Sequence, residues 1–311
     1  MNAYERNVLR DWLREEQAPE KLPVRLTRHF SGGISRLVKG IEKINHKKTQ
    51  AIYARLQDAA KNMIFSVLEQ SATTRQLERV ESEIGKLGGH AESAGEIRML
   101  PLAVKDEVAR RLAQSQTITV SAEGVTAGFL TSLFELVPGL QGLVLPTILA
   151  DLYATVRLLA QSAVQIGYSY GYNLRNKEDL PHFLVAMAPT VADAQVIEAK
   201  LTAHLAVRES AVLAARAVGQ HVTISMLTGG SPLISSLVDA LATRITLYFI
   251  EKEGSLLIPI AGAVLQGAIN AAFARMNYRD ARHYFQRQHF LERYGEEYLE
   301  AHLESLRQGT A

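Results

Sequence analysis

Four side chains are of the types that a polar site inside a helical core would use: Asp151, Arg157, Asn270 and Arg275. An aspartate in an apolar segment is costly unless it is paired. Paired with a nearby histidine or arginine, Asp151 becomes the acid or base of a hydrolase-like site. That reading requires the four residues to converge on one cavity. Motifs with a stronger mechanical meaning are absent. The nine histidines show no HExxH spacing; His204 and His221 are scattered, and His283 and His289, six apart, do not share a helix face. The turn Thr228-Gly229-Gly230-Ser231 lacks the lysine of a phosphate-binding loop, and no GxSxG nucleophile elbow occurs. With no cysteine there is neither a disulfide framework nor a cysteine-based zinc site. The sequence therefore assigns no catalytic residue, no metal and no cofactor.

A second chemistry is electrostatic. Between Arg25 and Lys48 stand seven basic residues (Arg25, Arg28, Arg36, Lys39, Lys43, Lys47, Lys48) against one acid, Glu42. Ile34, Leu37, Val38, Ile41 and Ile44 give the same stretch an apolar stripe. A basic amphipathic segment of this kind suits an anionic membrane surface, with Lys39, Lys43, Lys47 and Lys48 as its contacts. A solvated helix face is the plainer reading of the same charges. The net charge of +2 gives no global attraction to nucleic acid.

The elements that must position these residues read as helices throughout. Residues 4–16 form an amphipathic helix with Tyr4, Val8, Leu9, Trp12 and Leu13 on one face and charges opposite, ended by Pro19 and Pro23. Residues 49–70 read as helix, as do 74–87 and Leu102 to Gln114. Gly88-Gly89 and Gly95 mark a loop that separates the N-terminal part from the main body. Two charge-poor islands follow, at about 120–172 and 222–275. In the first, Gly124, Gly128, Gly139 and Gly142 with Pro138 and Pro146 favour short packed helices before a long one over 146–170. That helix carries a polar stripe of Asp151, Thr155, Ser162 and Gln165, which either lines an internal polar site or, as is more common, is simply the side facing water, and it stops at Gly171 after Tyr168 and Tyr170. Glu178, Asp179 and Pro181 start another helix, and 191–220 and 233–251 have helical spacing.

The stretch Gly254 to Gly295 begins apolar and ends charged and aromatic. Ser255 to Ala274 carries no charge, and eight of its twenty residues are Ala or Gly. Ala263, Gly267 and Ala271 form a small-residue strip suited to close helix packing, and Asn270 beside it calls for a hydrogen bond to a neighbouring helix. Gln266, Asn270 and the many small residues favour a buried helix over a membrane-spanning one. Beyond Tyr278, Phe285, Phe290, Leu291, Tyr294, Tyr298 and Leu299 should pack back on the body. The N-terminus, MNAYERNVLRDWLREE, lacks the apolar core of a secretion signal, which implies a cytoplasmic location. The fold class is all-α: a multi-helix bundle with close-packed Gly/Ala-rich apolar helices.

Four stretches together resemble the EcsC family. They are YERNVLRDW, SAEGVTAG, LVPGLQGLVLPTILADLYATVRLLAQSAVQIGYSYGYN and IPIAGAVLQGAINAAFARMNYRDARHYFQRQHFLERYG. Asp151, Tyr170, Gly171, Pro259, Gly262 and Asn270 fall at motif positions, while residues 71–100 depart from the pattern. The family is named for a protein encoded beside the subunits of a bacterial ABC transporter. The resemblance therefore implies a link to membrane transport or secretion and no defined activity. It divides the chain into a helical region over 1–100 with the basic segment and an EcsC-like helical core over 101–311. The expectation is a non-enzymatic accessory protein, peripheral to the inner membrane, whose partners are inner-membrane lipid or transport and secretion proteins. The alternatives are a helical hydrolase-like enzyme around Asp151, or an integral protein with hairpins at 125–170 and 233–275.

Overall fold

The computed structural model describes residues 1–17, 54–71, 74–113, 144–176, 178–188, 235, 237–243, 245–246 and 262–308, and for 74, 75, 144–148, 151, 262–274 and 276 the backbone alone. The described residues are helical with turns and contain no strand, so the protein is all-α. The helices, in chain order, are α1 (Ala3–Gln17), α2 (54–71), α3 (Thr74–Lys86), α4 (Ala94–Met99), α5 (102–113), α6 (Val144–Ser169), α7 (Leu180–Ala186), α8 (within 235–246), α9 (Gly262–Tyr294) and α10 (Glu296–Arg307).

At the centre α6 packs along α9. From Leu158 to Ser169 every described side chain of α6 except Gln161 is buried, the signature of a helix enclosed on all sides. Thr155, Ser162 and Gln165 are buried too. These three positions of the stripe therefore face protein, against the water-facing reading, and Gln165 donates to the Leu112 carbonyl at 3.4 Å. Ser169 returns its hydroxyl proton to the Gln165 carbonyl at 2.9 Å, which meets its own polarity within the helix.

Gly171 ends α6 as the sequence anticipates. The Tyr172 N–H reaches the Gly167 carbonyl at 2.9 Å and the Gly171 N–H that of Tyr168 at 3.0 Å, with Gly171 at φ +83°. This is a Schellman stop. It turns the chain toward α7, where Pro181 sits in the first turn. Asp179, at the N-cap position of α7, makes no capping bond. Its carboxylate instead accepts from Arg98 at 2.9 Å and from the Asn173 N–H at 2.9 Å, joining α4 to the α6–α7 turn.

Residues 88–101 do more than connect. Gly95 lies inside α4, a short helix whose N-cap Ser93 accepts from the Glu96 N–H. Ile97 is fully buried, and the backbone of Ala94 and Arg98 packs against Gly171. α2 buries Leu56, Ala60, Ile64, Val67 and Leu68, a stripe at helical spacing. Gln57 donates to Thr243 at 2.8 Å and Lys61 meets Asp239 at 2.7 Å, both on α8. The described helices of 1–100 and of 101–311 contribute to a common hydrophobic cluster.

α9 is a single helix of 33 residues, about 50 Å long at the usual rise. Its C-terminal half buries Ala281, Phe285 and Phe290. Leu291 and Tyr294 pack at the edge. Tyr298 of α10 departs from expectation: it is 49 % exposed and rests between Tyr294 and His302 in a ring stack. Among the described residues no helix is long and apolar enough to cross a membrane.

Candidate functional site

The densest cluster of titratable groups lies where α1 and α5 meet the charged half of α9. It starts from a local device at the N-terminus. The Glu5 N–H donates to Asn2 Oδ1 at 2.9 Å and the Asn2 N–H to Glu5 Oε2 at 2.8 Å, a reciprocal capping box that starts α1. The same carboxylate is drawn into the interior and is 1 % exposed. The sequence reading had placed the α1 charges opposite the apolar face. Glu5 instead lies on the buried side with Val8, Leu9 and Leu13.

Glu5 Oε2 accepts from the Tyr294 hydroxyl at 2.8 Å, and Glu5 Oε1 lies 3.6 Å from His289 Nε2. The other ring nitrogen, Nδ1, faces Lys105 Nζ at 3.2 Å. Lys105 also donates to the Arg98 carbonyl. An ammonium donating to Nδ1 assigns the imidazole proton to Nε2, toward Glu5. Burial, then the Lys105 charge, push the His289 imidazole down to about 4 against the pull of Glu5. Burial pushes the Lys105 ammonium down to about 8, with Arg98 and Arg293 acting in the same sense and Glu292 and Asp106 opposing. Burial alone would raise the Glu5 carboxyl. The Asn2 N–H, the Tyr294 hydroxyl and His289 together outweigh it and hold the group below its usual range.

Beside this row Asp106 collects neutral donors. Tyr4 donates at 2.8 Å, Gln286 Nε2 lies 2.9 Å from both carboxylate oxygens, and the Tyr170 hydroxyl makes a further short bond. Trp12 Nε1 donates to Gln286 Oε1 at 2.9 Å, which fixes the orientation of the amide. Burial and then the Asp106 charge raise the Tyr170 hydroxyl well above its ordinary value. Five elements meet here: α1, α4, α5, the end of α6 and α9. Lys105, Asp106, Tyr170, Gln286 and His289 are each no more than 6 % exposed. An amine held near neutrality is the form that nucleophilic chemistry uses, but this one is sealed from solvent. The arrangement holds helices together.

The family model of the EcsC protein family matches residues 18–289. The chain belongs to the EcsC protein family. The span matched to the EcsC family includes Lys105, Asp106, Tyr170, Gln286 and His289, whereas α1, with Tyr4, Glu5 and Trp12, lies ahead of it, and Tyr294 beyond it. YERNVLRDW is therefore outside the matched span, and residues 71–100 are inside it. No curated protein and no solved structure matches the chain.

Of the residues singled out from sequence, only Arg157 and Arg275 have described side chains, and neither contributes a contact to this cluster. Arg157 and Arg275 are exposed. Asp151 falls in α6 and Asn270 in α9, with side chains outside the described residues, as are Lys39, Lys43, Lys47 and Lys48. Among the described residues no group of three or more His, Cys, Asp or Glu forms a metal site. Sequence reasoning passed over Lys105 and Asp106. Their signal was positional: they sit at helical spacing from Leu102, Ala109 and Leu112, all buried, where a core-facing stripe is due.

Proposed function

We propose that the protein is a non-enzymatic accessory protein of a membrane transport or secretion system, working at the cytoplasmic face of the inner membrane and binding lipid or a membrane partner there. The observation that carries the reading is the use to which the interior acids and bases are put. Asp106 is saturated by Tyr4, Tyr170 and Gln286, and Lys105 is engaged by His289 and the Arg98 carbonyl. Groups committed in this way build a rigid scaffold, and a scaffold serves binding. The exposed Arg157 and Arg275 take no part in that cluster, which counts against a site built on them. The basic amphipathic stretch 25–48 stands in the chain between α1 and α2, both packed on the hydrophobic cluster. It supplies the attraction to an anionic surface that the reading needs.

The test is fractionation of the native protein, with membranes washed first in high salt and then in alkaline carbonate. Release by salt is the expected result, since surface charge pairing is screened. Retention through both washes would mean insertion and would overturn a peripheral role. Protein that stays in the supernatant throughout and ignores anionic vesicles would overturn membrane association altogether.

A further inference from the structure

We propose that the protein meets an anionic lipid surface end-on, with the starts of α6 and α9 toward the lipid and the acidic α10 turned away from it. The inference rests on the membrane reading and adds to it which end of the bundle faces the surface.

Side-chain contacts fix the direction of each helix. Lys105 meets His289, and Arg110 lies within electrostatic reach of Tyr278, so α5 and α9 run in opposite senses. Asp106 accepts from Tyr170 and the Leu112 carbonyl from Gln165, so α5 and α6 are opposed as well. α6 and α9 are therefore parallel, level with each other where Gly167 lies against the Phe285 ring. Glu5 meets Tyr294, Trp12 meets Gln286 and Glu15 meets Arg279, which sets α1 against α9. α1 and α5 thus end about midway along α9, and the first halves of α6 and α9 extend beyond them toward one end of the bundle.

The two ends differ in charge. Arg157 and Arg275 each stand ten residues before the Gly167–Phe285 contact, so the parallel helices hold them at one height. Both are exposed, with no ion-pair partner among the described residues. Neither serves the interior cluster, and both are open to an anionic surface. From there to the helix starts, residues 144–156 carry Asp151 as their one charge and 262–274 carry none, over about 20 Å of each helix. At the opposite end α10 turns back beside α9, where Arg287 pairs with Glu300 and Tyr294 stacks on Tyr298. Residues 286–308 hold Glu292, Glu296, Glu297, Glu300 and Glu304 against Arg287, Arg293 and Arg307. Exposed Glu92 and Glu96 belong to the same end, since α4 packs on Gly171 at the close of α6.

An anionic surface favours one pole of such a molecule over the other. The chain leaves α1 after Gln17 in the direction of the uncharged helix halves, and Arg25, the first residue of the basic stretch, follows eight residues later. Eight residues span at most about 28 Å, so the basic stretch is tethered close to where α1 ends. The opposite pose would press the glutamates of α10 toward anionic headgroups, where like charges repel. The end-on pose removes that repulsion. Glu300, paired with Arg287, stands 25 residues along α9 from Gly262, or roughly 37 Å, several times the screening length of about 8 Å at physiological salt. The uncharged halves of α6 and α9 approach the lipid without a row of charges to strip of water.

The chain has no cysteine, so single thiol labels can be introduced cleanly. Ala150→Cys and Ala154→Cys mark exposed positions in the first half of α6, and Ala301→Cys an exposed position of α10. Each full-length variant carries a bimane label and is mixed with phosphatidylserine–phosphatidylcholine vesicles that contain a lipid with a nitroxide on its headgroup. Co-sedimentation measures binding, and the loss of emission in the bound fraction measures proximity to the surface. The expected result is quenching several-fold stronger at 150 and 154 than at 301, in variants whose unfolding midpoints match the wild type. A label at 150 or 154 that blocks sedimentation while the label at 301 leaves it intact would support the same orientation. Bound protein quenched as strongly at 301 as at 150 and 154 would overturn the end-on pose and leave the membrane reading standing. Wild-type protein that does not sediment with these vesicles would overturn the membrane reading, and this proposal with it.

Discussion

His289 turns Nδ1 to the Lys105 ammonium at 3.2 Å in an interior where both residues are at most 5 % exposed. A neutral ring and a cation thus share one bond, and each disfavours charge on the other. The buried position leaves little solvent to relieve that competition.

For Lys105 the consequence lies on the alkaline side. Its folded value of about 8 is below the ordinary 10.5, so between the two the unfolded chain binds more protons. Stability then rises with pH from about 8, at about 1.4 kcal/mol for each full unit of the shift. Tyr170 and Tyr172, raised by burial first and then by Asp106 and Glu292 respectively, act in the opposite sense above their ordinary value of 10. Urea midpoints of the wild type should therefore be higher at roughly pH 9 than at pH 7. Lys105→Met should flatten that rise and cost about 1–2 kcal/mol at pH 7, because the Arg98 carbonyl loses its donor. A rise that persists in Lys105→Met would assign the effect to another group.

Asp106 anchors three donors, and removing it should be worse than removing any one of them. Asp106→Ala strands the buried hydroxyl of Tyr170 and the Gln286 amide and should destabilise by about 3–4 kcal/mol. Tyr170→Phe deletes donor and demand together and should cost about 1 kcal/mol. Denaturant unfolding of both variants and of the double variant checks this. Additive effects would mean that the pair is not coupled.

The helices were legible because their apolar positions recur at helical spacing and their ends carry recognisable stops. Gly171 after the tyrosines, Pro181 in the first turn of α7 and the Gly88-Gly89 turn after α3 all stand where the sequence puts them. The polar cluster was not legible, for a physical reason. Pattern reading assigns polar residues to solvent, and that assignment fails wherever a polar group is paired inside. Glu5 and Gln165, bonded inside, escape the pattern in this way, and Thr155 and Ser162 are buried too. The partners that justify burial are remote in sequence: Lys105 and His289 are 184 positions apart, and Trp12 and Gln286 are 274 apart. No spacing within one helix reveals them. Gly95 misled in the opposite direction, since Ser93 caps the short α4 strongly enough to carry it.

Gly171 should prove the least replaceable glycine of the described core. A Cβ there would fall 2.4 Å from the Ala94 carbonyl oxygen and 2.4 Å from the Arg98 nitrogen, at φ +83°. Both obstacles are backbone and neither can rotate away. Gly171→Ala should destabilise by more than about 3 kcal/mol, through the strained turn and the displaced α4 together. Gly95→Ala, whose nearest obstacle is Ser93 Oγ at 4.0 Å, should be neutral or stabilising by up to about 1 kcal/mol through helix propensity. Thermal unfolding of the pair decides it. Equal effects would mean that α4 does not depend on close approach at Gly171.

The membrane reading makes a prediction of its own at Lys39, Lys43, Lys47 and Lys48. Each basic residue near an anionic surface contributes about 1 kcal/mol. Replacing all four by Gln should therefore weaken binding to phosphatidylserine vesicles by about a hundred- to a thousandfold, with screening reducing the full sum. Binding of the wild type should fall steeply between low and high salt, and on neutral vesicles the two proteins should bind alike. The folded scaffold provides the control, since the four lysines lie outside the helices that build the α1–α5–α9 cluster. Emission from Trp12 and the unfolding midpoint should match those of the wild type at pH 7. Undiminished vesicle binding by the Gln variant would move the membrane contact away from these lysines and toward the charge-poor islands.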